Sequence, residues 1–274
     1  MSPPNLSSND APAFPVDGNS SDSAAKSDER RFSGVARAYG EEAFHRFQSA
    51  RVAIVGVGGV GSWIVEALAR SAVGHLCLID LDHVSESNIN RQIQATSTTL
   101  GQAKVLALAE RIALINPACE VESVEEFVAA DNVLELLPPG RFNLVIDAID
   151  DGRAKVAIAV HCHAHGLKLM VVGSAGGQTD AARVRIGDLA HTEHDPLLAR
   201  VRKRLRSEHG FPRNPKAKFN IEAVYSDEPI DKPILSDGAA PTGLNCAGYG
   251  SSVAVTAVFG MIAAGRALTL LARG

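Results

Sequence analysis

Three glycines in the first quarter of the chain have the spacing of a loop that brings backbone close to a phosphate. Gly56, Gly58 and Gly61 follow the apolar run 51–55 in a G-x-G-x-x-G pattern. Glycine suits such a turn because a Cβ atom would block the ligand or forbid the backbone conformation. The helix predicted at 62–71 would point the positive end of its dipole at the same place. The pattern therefore indicates a nucleotide-binding loop.

An acid and two cations follow the glycines at spacings that suit a nucleotide. Asp80 ends a second apolar run, 76–80, where a carboxylate can accept hydrogen bonds from both ribose hydroxyls. Lys104 is predicted in the first turn of a helix, where a cation opposes the helix dipole unless an anion is shared there. Taken alone, Lys104 fits a solvated surface lysine. Because Arg91 lies nearby in the sequence, the pair favours contact with a triphosphate.

Three carboxylates stand at the end of the predicted strand 143–147. They are Asp147, Asp150 and Asp151, and open α/β sheets bind their ligands at the carboxyl ends of strands. Oxygen ligands near a polyphosphate are what Mg²⁺ requires. At least one of Asp150 and Asp151 is expected to cap the following helix instead. The cluster predicts a magnesium ion beside these acids.

Short apolar strands alternating with helices must position these residues. The predicted strands are 51–55, 76–80, 120–124, 143–147, 168–172, 183–186 and 220–225, and the predicted helices are 28–47, 62–71, 105–115, 130–137, 152–165, 195–206 and 252–272. This alternation is typical of an α/β fold with a doubly wound, mostly parallel sheet, a Rossmann-like arrangement.

The chain divides into three predicted parts. Residues 1–28 are rich in Ser, Pro, Asn and Asp, which predicts a disordered tail. Residues 29–190 form the nucleotide-binding domain. Residues 191–274 form a C-terminal extension with a basic helix, a long loop that could act as a lid or crossover, and an apolar helix packed on the same domain.

Charge is unevenly distributed along the 274 residues. The formal net charge is -4, so a nucleic-acid-binding surface would have to be a local patch. Between residues 200 and 218, eight basic residues stand against one acid, Glu208. Such a strip suits a phosphate backbone, although charge runs often serve only as the solvated face of a helix.

The cysteines and the two ends of the chain indicate the cellular compartment of the protein. The four cysteines, at positions 77, 119, 162 and 246, form no C-x-x-C pair, which is typical of reduced thiols in the cytoplasm. The N-terminus has no secretion-signal pattern. The terminal apolar segment is interrupted by Arg266, so a buried helix is favoured over a membrane anchor. Cys246 lies in the long loop, and a nucleophilic role for it stays open.

Five motifs in order resemble the ThiF/MoeB/ubiquitin-activating superfamily of ATP-dependent adenylating enzymes over about residues 30–190. They are Gly56-x-Gly58-Gly59-x-Gly61-Ser62, Asp80-x-Asp82, Asn90-Arg91-Gln92, Gly101-x-x-Lys104 and Asp147-x-x-Asp150. Downstream, the chain most resembles the tRNA threonylcarbamoyladenosine dehydratase branch. The residues that carry this are Gly173-x-Ala175-Gly176-Gly177-Gln178, Thr192-x-x-Asp195-Pro196-Leu197 and Arg204-Leu-Arg206. The lack of paired C-x-x-C motifs, which many sulfur-carrier members have, favours the same branch.

The resemblance implies a reaction and a set of site residues. ATP, with Mg²⁺, would activate the carboxylate of N6-threonylcarbamoyladenosine beside the tRNA anticodon, and loss of water would close a cyclic product. The implied catalytic residues are Arg91, Lys104, Asp150 and Arg37. The implied nucleotide contacts are Gly56, Gly58, Gly59, Gly61, Ser62, Asp80, Asp82, Asn88, Arg91, Gln92, Lys104 and Asp150. Asp150 would hold the metal. Arg37, with Arg31 in reserve, would act on the other protomer of a homodimer, and the basic strip would guide tRNA.

Three alternatives remain. An adenylyltransferase for a ubiquitin-like sulfur carrier protein would share the ATP site. An NAD-dependent oxidoreductase is compatible with the glycines and Asp80 but gives no reason for Arg91, Lys104 and Asp150. A non-catalytic scaffold for a cysteine desulfurase and sulfur acceptor system would use Cys246 as a relay.

Overall fold

Seven strands form one sheet in the computed structural model, which describes residues 20–229 and 250–274. The strands are β1 Arg51–Val55, β2 His75–Ile79, β3 Glu120–Val124, β4 Leu144–Asp147, β5 Leu169–Val172, β6 Val184–Asp188 and β7 Glu222–Ser226. The helices are α1 Ser20–Tyr39, α2 Glu41–Ser49, α3 Gly61–Ala69, α4 Lys104–Ile115, α5 Val133–Leu136, α6 Gly152–His165, α7 Pro196–Glu208 and α8 Val253–Arg273.

The strand order is β3-β2-β1-β4-β5-β7-β6. All neighbours pair in parallel except β6, which runs antiparallel to β7 at the sheet edge. The chain leaves β1 towards β2 on one side, whereas β4 pairs with β1 on the other, with Val55 opposite both Ile79 and Asp147. This reversal opens a crevice at the carboxyl ends of β1 and β4, the usual ligand position in such sheets. The predicted doubly wound, mostly parallel α/β fold is confirmed.

Alternate residues of β1 face two separate hydrophobic cores, as a strand covered on both sides requires. Val52 and Ile54 pack with residues of α3, α4 and α8 on one face. Ala53 and Val55 pack with residues of α6 and α7 on the other. Burial on both faces fixes the position of β1 between the two cores, and therefore the position of the loop that follows it.

The last helix, α8, is long and apolar enough to cross a membrane by length and composition alone. Its residues Val255, Phe259 and Ala263 are nevertheless buried in the first core. Gly260 lies so close to α3 that an added Cβ would be 2.5 Å from the Cβ of Trp63. The helix therefore packs as part of the fold.

The N-terminal region differs from its prediction in two ways. The helix starts at Ser20, so the end of the tail predicted as disordered is helical, because no glycine or proline interrupts residues 20–33. Gly40, at a φ of +87°, divides the single helix predicted at 28–47 into α1 and α2. Residues 1–19 lie outside the described residues. Most of the predicted lid, including Cys246, also lies outside them.

Candidate nucleotide-binding site

The glycine turn after β1 has the geometry of an anion cradle. Gly56 has a φ of +83°, and its N–H donates to the carbonyl of Ile79 at 2.8 Å. A Cβ on Gly61 would stand 1.9 Å from the carbonyl oxygen of Gly56, so the turn excludes a side chain there. At Gly58 the nearest atom to an added Cβ would be Gln92 Nε2, at 3.8 Å, so this face is open.

Backbone donors on that open face are free. In the described part of the chain, the N–H groups of Gly58, Gly59 and Val60 donate to no protein acceptor. They precede the first turn of α3, where the partial positive charge of a helix is concentrated. Free N–H groups at a helix N-terminus bind phosphate without any further special feature.

Asp80 ties the glycine turn to the next strand. Its Oδ2 accepts a hydrogen bond from the Val57 N–H at 2.8 Å, and its Oδ1 accepts one from the Asp82 N–H at 2.9 Å. The carboxylate therefore lies directly beside the turn, at the carboxyl end of β2. Each oxygen keeps acceptor capacity for a ligand hydroxyl.

Arg91 extends across the glycine turn. An added Cβ on Gly59 would stand 3.3 Å from Arg91 Cδ, so the arginine stem lies against the loop backbone. The guanidinium donates to the carbonyl of Ser87 at 2.7 Å and to Asn90 Oδ1 at 2.9 Å. The indole of Trp63 donates to the Arg91 carbonyl at 2.9 Å. Arg91 is thus held over the open face of the turn.

Lys104 is the first residue of α4, and its ammonium group is paired. Its Nζ lies 2.7 Å from Asp82 Oδ2, and the lysine side chain is 7% exposed whereas that of Asp82 is 58% exposed. The backbone N–H of Lys104 also donates to the Asp82 carbonyl at 3.0 Å. Asp82 supplies the anion that a cation at a helix N-terminus needs. Lys104 and Asp82 therefore lie together beside the loop that follows β2.

The three acids after β4 have three different environments. Asp151 caps α6, because its carboxylate accepts from the Arg153 N–H at 2.6 Å and the Ala154 N–H at 2.9 Å. Asp147 is completely buried. Asp150 is exposed and makes no hydrogen bond or ion pair within the described residues. Asp150 is therefore the one member of the three that is free for a ligand.

The β4–α6 turn that carries Asp150 touches the glycine turn. An added Cβ on Gly56 would stand 2.9 Å from the Ile149 N atom, and one on Gly61 would stand 3.5 Å from Ala148 Cβ. The loops bearing the glycines, Arg91, Lys104 and Asp150 thus meet at one edge of the sheet. The described residues contain no cluster of three or more metal-ligating side chains.

This fold and this loop arrangement have known counterparts. A model of the ThiF family matches residues 32–273.

The chain belongs to the ThiF family.

Several of its relatives are similar to it over nearly their whole length. This ThiF-family chain is 42% identical to a tRNA threonylcarbamoyladenosine dehydratase of Haemophilus influenzae, over 89% of this chain and 94% of that protein. It is also similar to crystal structures of the E. coli tRNA N6-threonylcarbamoyladenosine dehydratase TcdA, in complex with AMP and in complex with ATP. Both matches have a TM-score of 0.81 and 42% identity, and both cover 89% of this chain and 94% of that one.

Three side chains expected at the nucleotide in this ThiF-family site are buried and support the loops. Ser62 Oγ accepts from the Ile93 N–H at 3.4 Å, and Asn88 Oδ1 accepts from the Ser85 N–H at 3.1 Å. Gln92 Oε1 accepts from Gln94 Nε2 at 3.1 Å. Nucleotide contact through Ser62, Asn88 and Gln92 stays a prediction.

Arg37 lies away from the site of its own chain. It is exposed on α1, which packs through Phe32 and Ala36 against Ala72, beyond the C-terminal end of α3. The reserve candidate, Arg31, donates to the carbonyls of Leu114 and Ile115 at the end of α4. Because α3 and α4 begin at the site, α1 packs at the opposite end of these helices. Within one chain, neither arginine reaches the glycine turn.

Sequence reasoning missed a buried charge cluster beneath the site. Lys155 Nζ lies 2.9 Å from Asp147 Oδ1 and donates to the Asp147 carbonyl at 3.1 Å. Asp195 is also buried, and it accepts from the Ser174 and Leu198 N–H groups, each at 2.9 Å. Burial raises the pKa of Asp147 and of Asp195, and the positive charge of Lys155 opposes the rise in both. The Asp195-Pro196 pair, a typical helix start, was the available signal for this cap.

Proposed function

We propose that this protein is an ATP-dependent tRNA threonylcarbamoyladenosine dehydratase that works by adenylating a carboxylate. One observation carries the proposal: an open glycine turn with free N–H groups lies beneath Arg91 in a chain that is 42% identical to such a dehydratase over 89% of its length. An NAD-dependent oxidoreductase would have no use for an arginine across the phosphate loop or for the exposed acid Asp150.

The first step transfers AMP to the substrate. A carboxylate oxygen of N6-threonylcarbamoyladenosine attacks the α-phosphorus of ATP, the bond between the α-phosphorus and its bridging oxygen breaks, and pyrophosphate leaves. Negative charge grows on the transferred phosphate and on the leaving group. Free N–H groups of the glycine turn and the guanidinium of Arg91 stabilise that charge. Lys104 exchanges Asp82 for a phosphate oxygen and acts with Arg91.

The second step closes the ring. An internal nucleophile of the modified adenosine attacks the acyl carbon, and AMP departs with the former carboxylate oxygen. The nucleophile loses its proton, so the net change in the base is the loss of one water. Because AMP is a good leaving group, closure needs no strong acid from the protein.

The site fits Mg²⁺, in the mode in which one protein carboxylate and phosphate oxygens share the ion. Asp150 is the exposed acid without a partner at the edge of the glycine turn, and it would hold the ion. The ion would neutralise charge on the triphosphate. Asp80 would hold the ribose.

A homodimer completes the proposal. Arg37 of one protomer would reach the nucleotide of the other, which accounts for its exposed position at the far end of α3 in its own chain. The enzyme is ligase-like, since it forms an acyl adenylate at the expense of ATP, and it works in the cytoplasm. A cysteine desulfurase system is not needed for this chemistry.

Mass spectrometry of nucleosides tests the function. The full chain is incubated with ATP, Mg²⁺ and threonylcarbamoylated tRNA, and the tRNA is then digested. The modified adenosine should lose the mass of one water, and one AMP should appear for each molecule converted. Pyrophosphate release stimulated by a ubiquitin-like sulfur carrier protein, with no change in the nucleoside, would select the sulfur-carrier adenylyltransferase instead.

A further inference from the structure

One polar side chain near the candidate site is buried without a partner. Gln178 is 2% exposed, and neither its amide oxygen nor its amide nitrogen has a hydrogen-bond partner. Burying an amide without hydrogen bonds costs free energy, and most buried polar side chains are bonded. Among the described side chains, Gln178 is the only one with two such atoms. Its amide is therefore matched to nothing in the described protein.

The backbone around Gln178 is bonded on both sides. Gly177 has a φ of +75°, and its N–H donates to the Gly250 carbonyl at 3.0 Å. The N–H and the hydroxyl of Thr179 each donate to the Glu228 carboxylate at 3.1 Å. These contacts hold the loop without any hydrogen bond from the glutamine side chain. The amide is therefore not required to fix the loop that carries it.

The loop that carries Gln178 lies at the same edge of the sheet as the candidate nucleotide site. It follows the carboxyl end of β5, and Glu228, to which it is bonded, follows the carboxyl end of β7. In the sheet, β4 lies between β1 and β5, and all three strands are parallel. Neighbouring strands are about 4.8 Å apart, so the end of β5 lies about 10 Å from the end of β1, where the glycine turn begins.

A short segment also ties this loop to the arginine above the glycine turn. The residue before Gln178 donates to the Gly250 carbonyl, and the next carbonyl, that of Ser251, accepts from Asn90 Nδ2 at 2.9 Å. Asn90 Oδ1 accepts from the Arg91 guanidinium, also at 2.9 Å. The neighbours of Gln178 and of Arg91 are thus bonded to consecutive residues of one segment.

The nucleotide and its acceptor would divide the crevice between them. Asp80, at the end of β2, would hold the ribose, while the glycine turn and Asp150 would hold the phosphates and the metal over β1 and β4. On the other side of β4 from these two strands lies β5. The β5 side of the crevice is therefore left for the group that carries the attacking carboxylate.

We propose that the amide of Gln178 binds the ureido group of the substrate, which joins the threonyl part to the adenine, and so selects the threonylcarbamoyl side chain. This role rests on the proposed function, because it takes the attacking carboxylate to lie at the glycine turn. A ureido group presents a carbonyl oxygen and N–H groups, so the amide can donate to the first and accept from the second. Binding requires a change of rotamer, which is common when a ligand arrives, and it breaks no hydrogen bond of the glutamine side chain.

Two near-isosteric variants separate this role from a role in the fold. Q178M replaces the unpartnered amide by an apolar side chain of similar length. N116L is the matched control, because the buried amide of Asn116 donates to the Val73 carbonyl at 3.2 Å, at the end of α4 away from the site. Calorimetry gives the Tm of each variant and its affinity for ATP. Kinetics gives kcat/KM for tRNA that carries threonylcarbamoyladenosine, and for tRNA in which this base is methylated at N6 and lacks one ureido N–H.

The two variants should differ in both stability and selectivity. Q178M should keep its Tm or raise it by up to about 4 °C, because no hydrogen bond is lost, whereas N116L should lower its Tm by a similar amount. Q178M should lower kcat/KM for the unmethylated tRNA about 10- to 100-fold, with the affinity for ATP unchanged. Wild type and N116L should prefer the unmethylated tRNA about tenfold or more, and Q178M should use the two tRNAs nearly alike.

Wild-type selectivity in Q178M would overturn the proposal whatever its Tm, because the ratio of two rates in one variant does not depend on the folded fraction. A Tm of Q178M as low as that of N116L would also overturn it, since the amide would then be bonded within the protein. If the wild-type protein dehydrates neither tRNA, the proposed function itself fails. A raised Tm in Q178M distinguishes that failure from a structural role of the amide.

Discussion

The ammonium group of Lys155 lies 2.9 Å from Asp147 Oδ1, and both side chains are completely buried. Asp147 ends β4 three residues before Asp150, and Lys155 lies in the first turns of α6. The ion pair therefore joins the two ends of the turn that carries the proposed metal ligand. Asp147 Oδ2 has no hydrogen-bond partner, so the carboxylate is held through Oδ1 alone, which contacts Lys155 Nζ and accepts a hydrogen bond from the Ile149 N–H at 3.2 Å.

Removing the lysine should make stability depend on pH. K155M should lose about 3–5 kcal/mol of unfolding free energy at neutral pH, because it leaves a buried carboxylate unpaired. In that variant the pKa of Asp147 in the folded state rises further above its unfolded value. The contribution of Asp147 to stability is then greatest below its unfolded-state pKa and is lost as the pH rises through its folded-state pKa.

Urea unfolding between pH 5 and 8 measures this effect. K155R keeps the charge and should retain most of the stability, while K155M/D147N should recover part of it. A flat pH profile for K155M would show that the pair contributes no net electrostatic stabilisation.

Two glycines of the same turn should respond oppositely to alanine. G61A places a Cβ 1.9 Å from the Gly56 carbonyl oxygen, so it should destabilise the fold by about 3 kcal/mol or more. G58A meets nothing nearer than 3.8 Å, so its stability should change by less than about 1 kcal/mol. G58A should nevertheless weaken ATP binding about tenfold or more, because its methyl group occupies the open face. Calorimetric titration with ATP measures the affinity, and urea unfolding measures the stability of both variants. Normal ATP affinity in G58A would show that the nucleotide does not bind against the open face of this turn.

Substitution of Asp150 should affect catalysis, whereas substitution of Asp151 should affect stability. D150A should lower kcat/KM for ATP about 10²-fold and leave the unfolding free energy within about 0.5 kcal/mol of wild type. D151A should lose about 1 kcal/mol of stability through the missing cap while keeping most of its activity. The measurements are Mg²⁺-dependent AMP formation and urea unfolding. Equal losses of activity in the two variants would contradict the separate roles.

Arg91 should act through both its charge and its shape. R91A should lower kcat about 10²- to 10³-fold, because it removes the guanidinium above the phosphate loop. R91K keeps the charge but not the planar donors and should be intermediate. R51A, which removes an exposed arginine at the start of β1, is the matched control. Wild-type AMP formation by R91A would refute the role of Arg91.

The stabilisation that Glu66 contributes should depend on pH. It is buried and accepts from Arg70 at 2.7 Å and from Arg111 at 2.6 Å, which joins α3 to α4. Burial opposes ionisation, but the hydrogen bonds from Arg111 and Arg70 outweigh it and bring the pKa below its ordinary value of 4.5. E66Q should therefore be less stable by about 2 kcal/mol at neutral pH.

The difference between E66Q and wild type should disappear as the pH falls below 4.5, because protonation of wild-type Glu66 removes the same interaction. Urea unfolding of both proteins from pH 3 to 7 measures it. A difference that is the same across this range would assign the loss to packing and not to charge.

Local pattern determined much of the fold and the core of the candidate site. The positions of β1 and β2 followed within one residue from apolar runs, and the glycine turn and Asp80 followed from their spacing. Such features depend on residues adjacent in sequence, whose conformational preferences are intrinsic to the chain. One of Asp150 and Asp151 was predicted to cap α6 for the same reason.

Contacts between distant segments required the tertiary structure. The sequence alone did not predict that Asp82 pairs with Lys104 or that Arg31 donates to carbonyls at the end of α4. It also did not predict that, of the three acids after β4, Asp150 is the one without a hydrogen bond or ion pair in the described part of the chain. Those partners are set by strand order and by the burial that packing imposes, and neither is encoded in local spacing. Lys155 is the clearest case, because a lysine side chain is normally exposed to solvent. Only the packing of α6 against β4 places this one in the core, beside the carboxylate of Asp147.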